Sequence, residues 1–242
     1  MNERVFHLKM TLHEPLFHAS YEYNTEYLTE AVISNYALAF AFGMAKSQRR
    51  IEDAPMRPRY KEDLNTLLEK NIYFFPAVPS SSQAVNYHQE RWNVIGEGLR
   101  YQMGQGCIVD DLDFLVGGVR ARAVNKPQQG YIRYVSRGSL FTSWCVVKNN
   151  EHISFPTWIR LGKTMAKTHC EIQEIPCMKK NGSFYFSGGL NSVDVANHSN
   201  IDSYDIINIR PAPILKNIRA HGEYLETKEA NIPNNVFWNF PT

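Results

Sequence analysis

The chain has 242 residues and a formal net charge of +2, with 43% hydrophobic and 21% charged residues. This composition excludes an intrinsically disordered chain, and the length suits one large domain or one domain with a sizeable insertion. The longest apolar run, residues 36–45, is too short to span a bilayer, and the N-terminus lacks the apolar core of a signal peptide. We therefore expect a cytoplasmic protein without a membrane segment.

The first predicted element is a strand over residues 5–12, which His13, Glu14 and Pro15 end because proline cannot extend a strand ladder. The alternation has a period of two, which is typical of a half-buried strand. One face would carry Phe6, Leu8, Met10 and Leu12, and the other Val5, His7, Lys9 and Thr11.

Two helices are predicted next. Val32, Tyr36, Phe40 and Met44 repeat every four residues and predict an amphipathic helix over residues 31–46. A second, short helix over residues 61–70 is marked by Leu64, Leu67 and Leu68.

From residue 73 onward, short apolar runs separated by glycine-rich turns indicate strands. The Lys180-Asn181-Gly182 sequence predicts a hairpin turn between residues 172–178 and 184–186. A strand–helix opening followed by a long β-rich body predicts an α+β fold with helices on one face of a sheet.

The charge is unevenly distributed along the chain. Residues 114–168 contain nine basic residues and one acid, a net charge of +8, whereas the rest contains 17 bases and 23 acids, a net charge of −6. Aromatic residues are interleaved with these bases. Cations that hold phosphates and flat rings that stack on bases are what single-stranded nucleic acid requires. The pattern indicates nucleic-acid binding; the alternative is a charged sheet face whose alternate rings belong to the core.

Residues 116–134 suggest a hairpin that projects arginines. Arg120 and Arg122 would share one face of a strand, as would Tyr131 and Arg133, and Lys126 stands near a tip of glycine and glutamine. Such a hairpin suits a nucleic-acid groove or backbone; the alternative is a charged, exposed hairpin without a ligand.

The Gly162-Lys163-Thr164 sequence resembles the end of a phosphate-binding loop. The motif requires a glycine five residues before Gly162, where this chain has Thr157, so nucleotide hydrolysis is excluded. The remaining glycine turn, flanked by Arg160 and Lys167, either brings backbone N–H groups close to a phosphate or simply joins a strand to a helix.

The sequence predicts no cofactor and no metal site. The four cysteines include no C-x-x-C pair and are expected as free thiols, and His169 with Cys170 and Cys177 fits no zinc spacing. One of the eight histidines could act as the general acid or base of a metal-independent ribonuclease, with a lysine holding the phosphorane. The sequence does not single one out.

Three stretches resemble a known family. HLKMTLHEPLFHAS at residues 7–20, followed by NYALAFAFG at residues 35–43, resembles the opening of the type I-D CRISPR "Cas five" subunit, the Csc-one family of the repeat-associated RAMP superfamily. Residues 156–167, with IRLGK at residues 159–163, are similar to a later block of that family. The resemblance extends through the whole chain, and none of these strings is a catalytic signature.

The resemblance implies a ferredoxin-like or RRM-like palm with a β-hairpin "thumb". We expect a single domain over residues 1–242, in which residues 1–95 and 141–242 form the palm and β-rich body, and about 96–140 form the thumb insertion. The hairpin 116–134 would be the thumb, and the turn 160–167 a second clamp on the nucleic-acid backbone.

The resemblance also implies a function. We expect a non-catalytic subunit of a type I-D CRISPR surveillance (Cascade) complex that binds the 5′ handle of the CRISPR RNA and bridges the backbone and large subunits near the target DNA. The alternatives are a metal-independent endoribonuclease that processes precursor CRISPR RNA, and a structural bridge that only neutralises RNA held by its neighbours. The candidate RNA-binding residues are Arg120, Arg122, Lys126, Tyr131, Arg133, Arg137, Trp158, Arg160, Lys163 and Lys167.

Overall fold

The computed structural model describes residues 3–23, 26–45, 60–93, 115–116, 119–120, 129–148, 153–195 and 200–236. The strands are β1 Arg4–Leu12, β2 Tyr21–Tyr23, β3 Glu26–Leu28, β4 Ile72–Phe74, β5 Val78–Pro79, β6 Tyr87–Asn93, β7 Leu115–Val116, β8 Val119–Arg120, β9 Gln129–Val135, β10 Leu140–Val147, β11 Trp158–Leu161, β12 Ala166–Ile175, β13 Met178–Phe186, β14 Leu190–Asn191, β15 Ile201–Ile207, β16 Ile214–Glu226 and β17 Asn231–Pro233. The helices are α1 Asn35–Ala41, α2 Tyr60–Asp63 and α3 Asn65–Glu69, with a 3₁₀ helix at Ser192–Asp194.

Strands outweigh helices in the described part of the chain, with 54% of its residues in strands and 11% in helices, and one sheet curls into a half-barrel. The central antiparallel sheet has the order β11-β12-β1-β10-β4, with β5 also pairing with β10. A second sheet is organised around β16, which pairs with β13, β14, β15 and β17. A four-stranded sheet has the order β2-β3-β9-β6, and β7 pairs with β8. The α+β prediction therefore holds for a strongly β-rich fold.

Strand β1 forms where the alternation predicts it, but it is more deeply buried than a half-buried strand. The face carrying Leu8 and Met10 packs into the core beneath α1. On the other face, Val5 and His7 are also buried, and Val5 packs against the second sheet, whereas Lys9 is exposed and Thr11 is partly exposed. The first half of β1 is thus covered on both sides.

Helix α1 is shorter than the predicted helix over residues 31–46. It begins after Ser34, whose hydroxyl caps the N-terminus by accepting a hydrogen bond from the Ala37 N–H. Ile33 is drawn into an isolated bridge with Ala77, which prevents an earlier start. At the other end, Gly43 adopts a positive φ of 70°, the conformation that usually ends a helix. The second predicted helix is confirmed as the short pair α2 and α3.

The predicted hairpin turn at residues 180–182 is wrong. These residues lie within β13, which runs from Met178 to Phe186 and pairs along its length with β16. Gly182 stands opposite Gly222, and both glycines have positive φ values, 154° and 137°. The asparagine–glycine pair therefore lies within an irregular strand and does not form a loop.

The predicted ferredoxin-like palm is not confirmed. The central sheet does place β1, the first strand before α1, between β10 and β12. A ferredoxin-like unit has a second helix before its last strand. The described residues that precede β11, 153–157, contain no helix.

Candidate nucleic-acid interface

One face of the central sheet remains partly open. Helix α1 packs against the opposite face, and the second sheet covers only one end of this one. Cross-strand pairing places Trp158 and Thr11 beside His169, and Lys9 beside Thr142. We call this surface the open face; its residues are Lys9, Thr11, Leu140, Thr142, Trp158, Arg160, Lys167, His169 and Glu171.

Trp158 is the centre of an aromatic and cationic cluster at the edge of the open face. Its side chain is 43% exposed, which is high for a tryptophan. The His169 and His13 rings lie with their centroids 4.7 and 4.9 Å from it, and the Lys167 Nζ is 4.3 Å from its ring centroid. We call these four residues the Trp158 cluster. An exposed indole flanked by cations and imidazoles has the chemistry needed to stack a base beside a phosphate.

The turn after Trp158 is held against the segment before β2. The Lys163 N–H donates to the Phe17 carbonyl at 2.8 Å, and the Thr164 hydroxyl donates to the Pro15 carbonyl at 3.0 Å. The Lys163 N–H is therefore engaged within the protein and is not available to a phosphate. The turn joins β11 to β12, two adjacent strands, and does not lead into a helix. Gly162 is needed there because its φ is +69° and a side chain would collide with Phe17.

Glu14 organises the same region. Its carboxylate accepts hydrogen bonds from Arg160 Nη1 at 2.9 Å and from the Lys167 N–H at 2.8 Å. Both Arg160 and Glu14 are about half exposed, so water screens this ion pair and its contribution to stability is small. The pair orients the guanidinium along the hairpin, where it stays accessible.

Arg137 lies near the Trp158 cluster although it belongs to another turn. It is exposed in the β9–β10 turn, and the next residue, Gly138, donates its N–H to the Leu12 carbonyl at 2.6 Å. The first residue after β1, His13, donates its N–H to the Lys167 carbonyl at 2.9 Å. The end of β1 thus lies between both turns. These two turns and the strand residues beside them carry four cations, which we call the basic rim: Arg137, Arg160, Lys163 and Lys167.

Tyr131 and Arg133 lie on a separate surface, in the four-stranded sheet. Strand β9 has β3 on one edge and β6 on the other. Tyr131 is 42% exposed and available for stacking. Arg133 is half-buried, forms an ion pair with Glu30 at 3.0 Å, and stacks its guanidinium 4.7 Å from the Tyr87 ring centroid. Much of its charge is therefore already compensated within the protein.

The arginine hairpin predicted over residues 116–134 has a different pairing. Arg120 lies in β8, which pairs with β7, whereas the strand that carries Tyr131 pairs with β3 and β6. Because β3 and β6 occupy both edges of β9, β8 cannot pair with it at Tyr131, and the predicted hairpin partner is wrong. Arg122 and Lys126 lie outside the described residues.

Sequence reasoning missed further aromatic residues beside Tyr131. Tyr21 and Tyr23 stack with their ring centroids 6.2 Å apart, and both Tyr23 and Tyr87 are exposed. Arg91 pairs with Tyr131 across the β6–β9 ladder and is exposed. The period-two spacing of Tyr21 and Tyr23 is a strand signal that would have found them.

A groove of about 480 Å³ opens at the junction of the open face and the second sheet. On its floor the His7 ring lies between the Glu229 carboxylate, which contacts Nδ1, and the Thr142 Oγ1, which is 2.6 Å from Nε2. The same ring stacks on buried Trp144 with a centroid distance of 4.3 Å. Burial lowers the pKa of His7 below its ordinary value, although the Glu229 charge acts in the opposite direction. The sequence does not indicate this arrangement, because Glu229 is 222 residues away from His7.

His18 lies close to the basic rim, and we expect it to make stability depend on pH. Burial, with a smaller effect of the Lys163 charge, lowers the pKa of His18 to about 4. The unfolded chain therefore takes up a proton below about pH 6.5 and the folded chain only near pH 4, so stability is lost as the pH falls through this range. The free energy of unfolding should decrease by about 2 kcal/mol between pH 7 and pH 5.

Urea unfolding of the wild type and of His18→Gln over the same pH series measures this effect. The difference between the two curves isolates His18, because the other titrating groups are common to both proteins. Parallel curves would show that His18 is not responsible.

The structure shows no metal cluster in the residues that it describes: no three or more His, Cys, Asp or Glu side chains come together there. Cys145 and Cys170 are buried. Burial raises the pKa of the Cys170 thiol to about 12, which leaves it protonated and a poor metal ligand. Within the same ranges, no helix is long and apolar enough to cross a membrane.

The geometry thus defines a β-rich protein in which a helix backs one face of an antiparallel sheet and the open face carries aromatic rings and cations. The chain belongs to the type I-D CRISPR-associated protein Cas5/Csc1 family, whose sequence model matches residues 3–240. This match confirms the resemblance drawn from residues 7–20, 35–43 and 156–167. Family membership implies a place in a CRISPR Cascade complex. No curated protein matches the chain.

Proposed function

We propose that this chain is a non-catalytic, cytoplasmic subunit that holds the 5′ handle of the CRISPR RNA on the open face of its central sheet. The half-exposed Trp158 within its cluster carries the proposal. Isolated surface tryptophans are rare because the indole is large and apolar. A ring placed between two imidazoles and an ammonium is preorganised to stack a base while neighbouring cations hold the phosphates.

The basic rim supports the same role. Arg137, Lys163 and Lys167 form no ion pair within the described ranges, so their charges remain available to phosphates. The central sheet would then serve as the palm, with β1 and α1 as its first β–α unit. Tyr131, with Tyr23 and Tyr87 nearby, would offer a second stacking surface to the same RNA.

Bridging to protein neighbours is proposed for the second sheet. Tyr204 and Ile206 in β15 are 51% and 59% exposed, and Tyr185 in β13 is 49% exposed. Large apolar side chains in exposed strands are sites at which other chains pack. The backbone and large subunits of a Cascade complex are the proposed partners.

A metal-independent endoribonuclease remains the second candidate, and one observation favours it. His7 contacts the Glu229 carboxylate in an open groove, and Lys9 also lines this groove. A histidine held by a carboxylate beside a cation is the arrangement of a general base in such a ribonuclease. A cut at the end of the handle would require the scissile phosphate to lie in this groove.

One experiment separates these functions. The purified chain is mixed in EDTA with an end-labelled CRISPR repeat RNA, and the products are run on native and on denaturing gels. A shifted, intact RNA that scrambled RNA competes for poorly is the expected result. A discrete shorter product would favour the nuclease, and neither a shift nor a cut would overturn RNA binding by the chain itself.

Replacing the central ring should weaken this complex. Trp158→Ala is expected to cost about 1–3 kcal/mol of binding, because it removes one base-stacking platform. Met165→Ala is the matched control, since Met165 is 59% exposed in the adjacent turn but offers neither a ring nor a charge. Equal affinities for both variants in a fluorescence anisotropy titration would remove Trp158 from the interface.

A further inference from the structure

The groove beside the open face contains a directed chain of hydrogen bonds. Glu229 contacts His7 Nδ1, and the other nitrogen, Nε2, lies 2.6 Å from Thr142 Oγ1. A carboxylate only accepts hydrogen bonds, so the neutral imidazole carries its proton on Nδ1. Nε2 is then an acceptor, and the Thr142 hydroxyl must donate its hydrogen to it.

This direction determines what Thr142 offers to a ligand. With its hydrogen committed to His7, Thr142 Oγ1 presents its lone pairs to the groove as an acceptor. The stack on Trp144 holds the His7 imidazole in place. The hydrogen bond from the Thr142 hydroxyl to Nε2 therefore keeps its direction. Hydrogen bonds in such a chain polarise one another, which strengthens the terminal acceptor. The groove therefore suits a ligand that supplies a hydroxyl donor.

A cation stands next to this acceptor. Lys9 is exposed and lies directly opposite Thr142 in the β1–β10 ladder, which places their Cβ atoms about 5 Å apart. In RNA, the ribose 2′-hydroxyl is both a donor and an acceptor and is adjacent to the 3′-phosphate. An acceptor beside an ammonium matches this pair of groups, whereas deoxyribose has no hydroxyl at that position.

We propose that Thr142 accepts a hydrogen bond from a ribose 2′-hydroxyl of RNA bound on the open face, while Lys9 holds the adjacent phosphate. This inference rests on the proposed function and adds to it a sugar-recognition site. The groove thereby distinguishes RNA from DNA at one nucleotide, a distinction that stacking on Trp158 and contacts of the basic rim do not make.

The test compares the repeat RNA with the DNA of the same sequence, by fluorescence anisotropy, for the wild type and for Thr142→Val. Wild type should bind RNA more tightly than DNA. The valine, which removes only the hydroxyl, should weaken RNA binding about fivefold, the value of one neutral hydrogen bond, and leave DNA binding unchanged. Thr142→Ser should restore the preference for RNA.

Two further measurements keep the inference falsifiable. A single 2′-deoxy substitution in the RNA should reproduce the fivefold loss at one nucleotide with the wild type and cause no further loss with Thr142→Val. Ser187→Ala is the control within the same groove, since it also removes a hydroxyl but lies outside the hydrogen-bond chain. Equal losses for RNA and DNA in Thr142→Val, or equal wild-type affinities for both, would overturn this inference while RNA binding stands. Failure of the wild type to bind RNA would overturn both proposals.

Discussion

Asp194→Ala should lower the free energy of unfolding by roughly 2–6 kcal/mol, the largest of the stability effects that we expect. Asp194 is fully buried, and its Oδ2 accepts hydrogen bonds from Asn35 Nδ2 at 2.7 Å and from the Tyr73 hydroxyl at 2.8 Å. Alanine removes the acceptor for two buried donors, and each lost bond costs about 1–3 kcal/mol. Burial and the Asp194 charge raise the pKa of Tyr73 well above its ordinary value, so the phenol stays a donor.

The Asp194 carboxylate also connects three elements of the fold that are far apart in sequence. Asn35 is the first residue of α1, Tyr73 lies in β4, and Asp194 ends the 3₁₀ helix. Asp194→Asn is the matched control, because its amide oxygen can accept both hydrogen bonds with nearly the same side-chain volume. Urea unfolding monitored by circular dichroism measures both variants. An alanine variant as stable as the asparagine variant would contradict the importance of this acceptor.

Gly162→Ala is expected to reduce stability by about 2–4 kcal/mol and to weaken RNA binding at the same time. The left-handed φ of +69° alone costs an alanine about 1–2 kcal/mol. Its methyl group would also lie 2.7 Å from Leu16 Cδ1 and collide with the Phe17 carbonyl, so the turn would have to move away from this segment. The hydrogen bond from the Lys163 N–H to Phe17 would break as a result.

Gly138→Ala separates the two contributions of Gly162. Gly138 has a similar φ of +81°, but no atom lies within 4 Å of the added methyl group, so only the conformational cost of about 1–2 kcal/mol remains. Thermal unfolding of both variants under the same conditions gives the comparison. Equal losses would mean that the contact between the turn and residues 15–17 contributes nothing to stability.

Local patterns predicted those elements whose structure depends on neighbours in sequence. Strand β1 and the short helices around Leu64 follow from periodicity alone. The start of α1 was misplaced because Ile33 pairs with Ala77, a contact between residues distant in sequence. The hairpin turn at Asn181 failed for a similar reason, since pairing of β13 with β16 overrides a local turn preference.

The sequence predicts only the part of the candidate site that lies on a single hairpin. Trp158 and Lys167 come together because β11 and β12 are adjacent in sequence and in space. His13 joins them only through the pairing of β1 with β12. The ion pair of Arg133 with Glu30 likewise links residues about a hundred positions apart, and no local pattern shows that this charge is already matched.

The β6–β9 ladder has a consequence for how this protein can diverge. Asn93 and Gln129 stand opposite each other in it, so the chain leaves and re-enters the sheet at a single rung. The entropy of closing a segment between such neighbouring points grows only slowly with its length. A change in the length of the segment 94–128 therefore need not alter the register of β6 and β9, because both ends of the segment stay fixed at this rung.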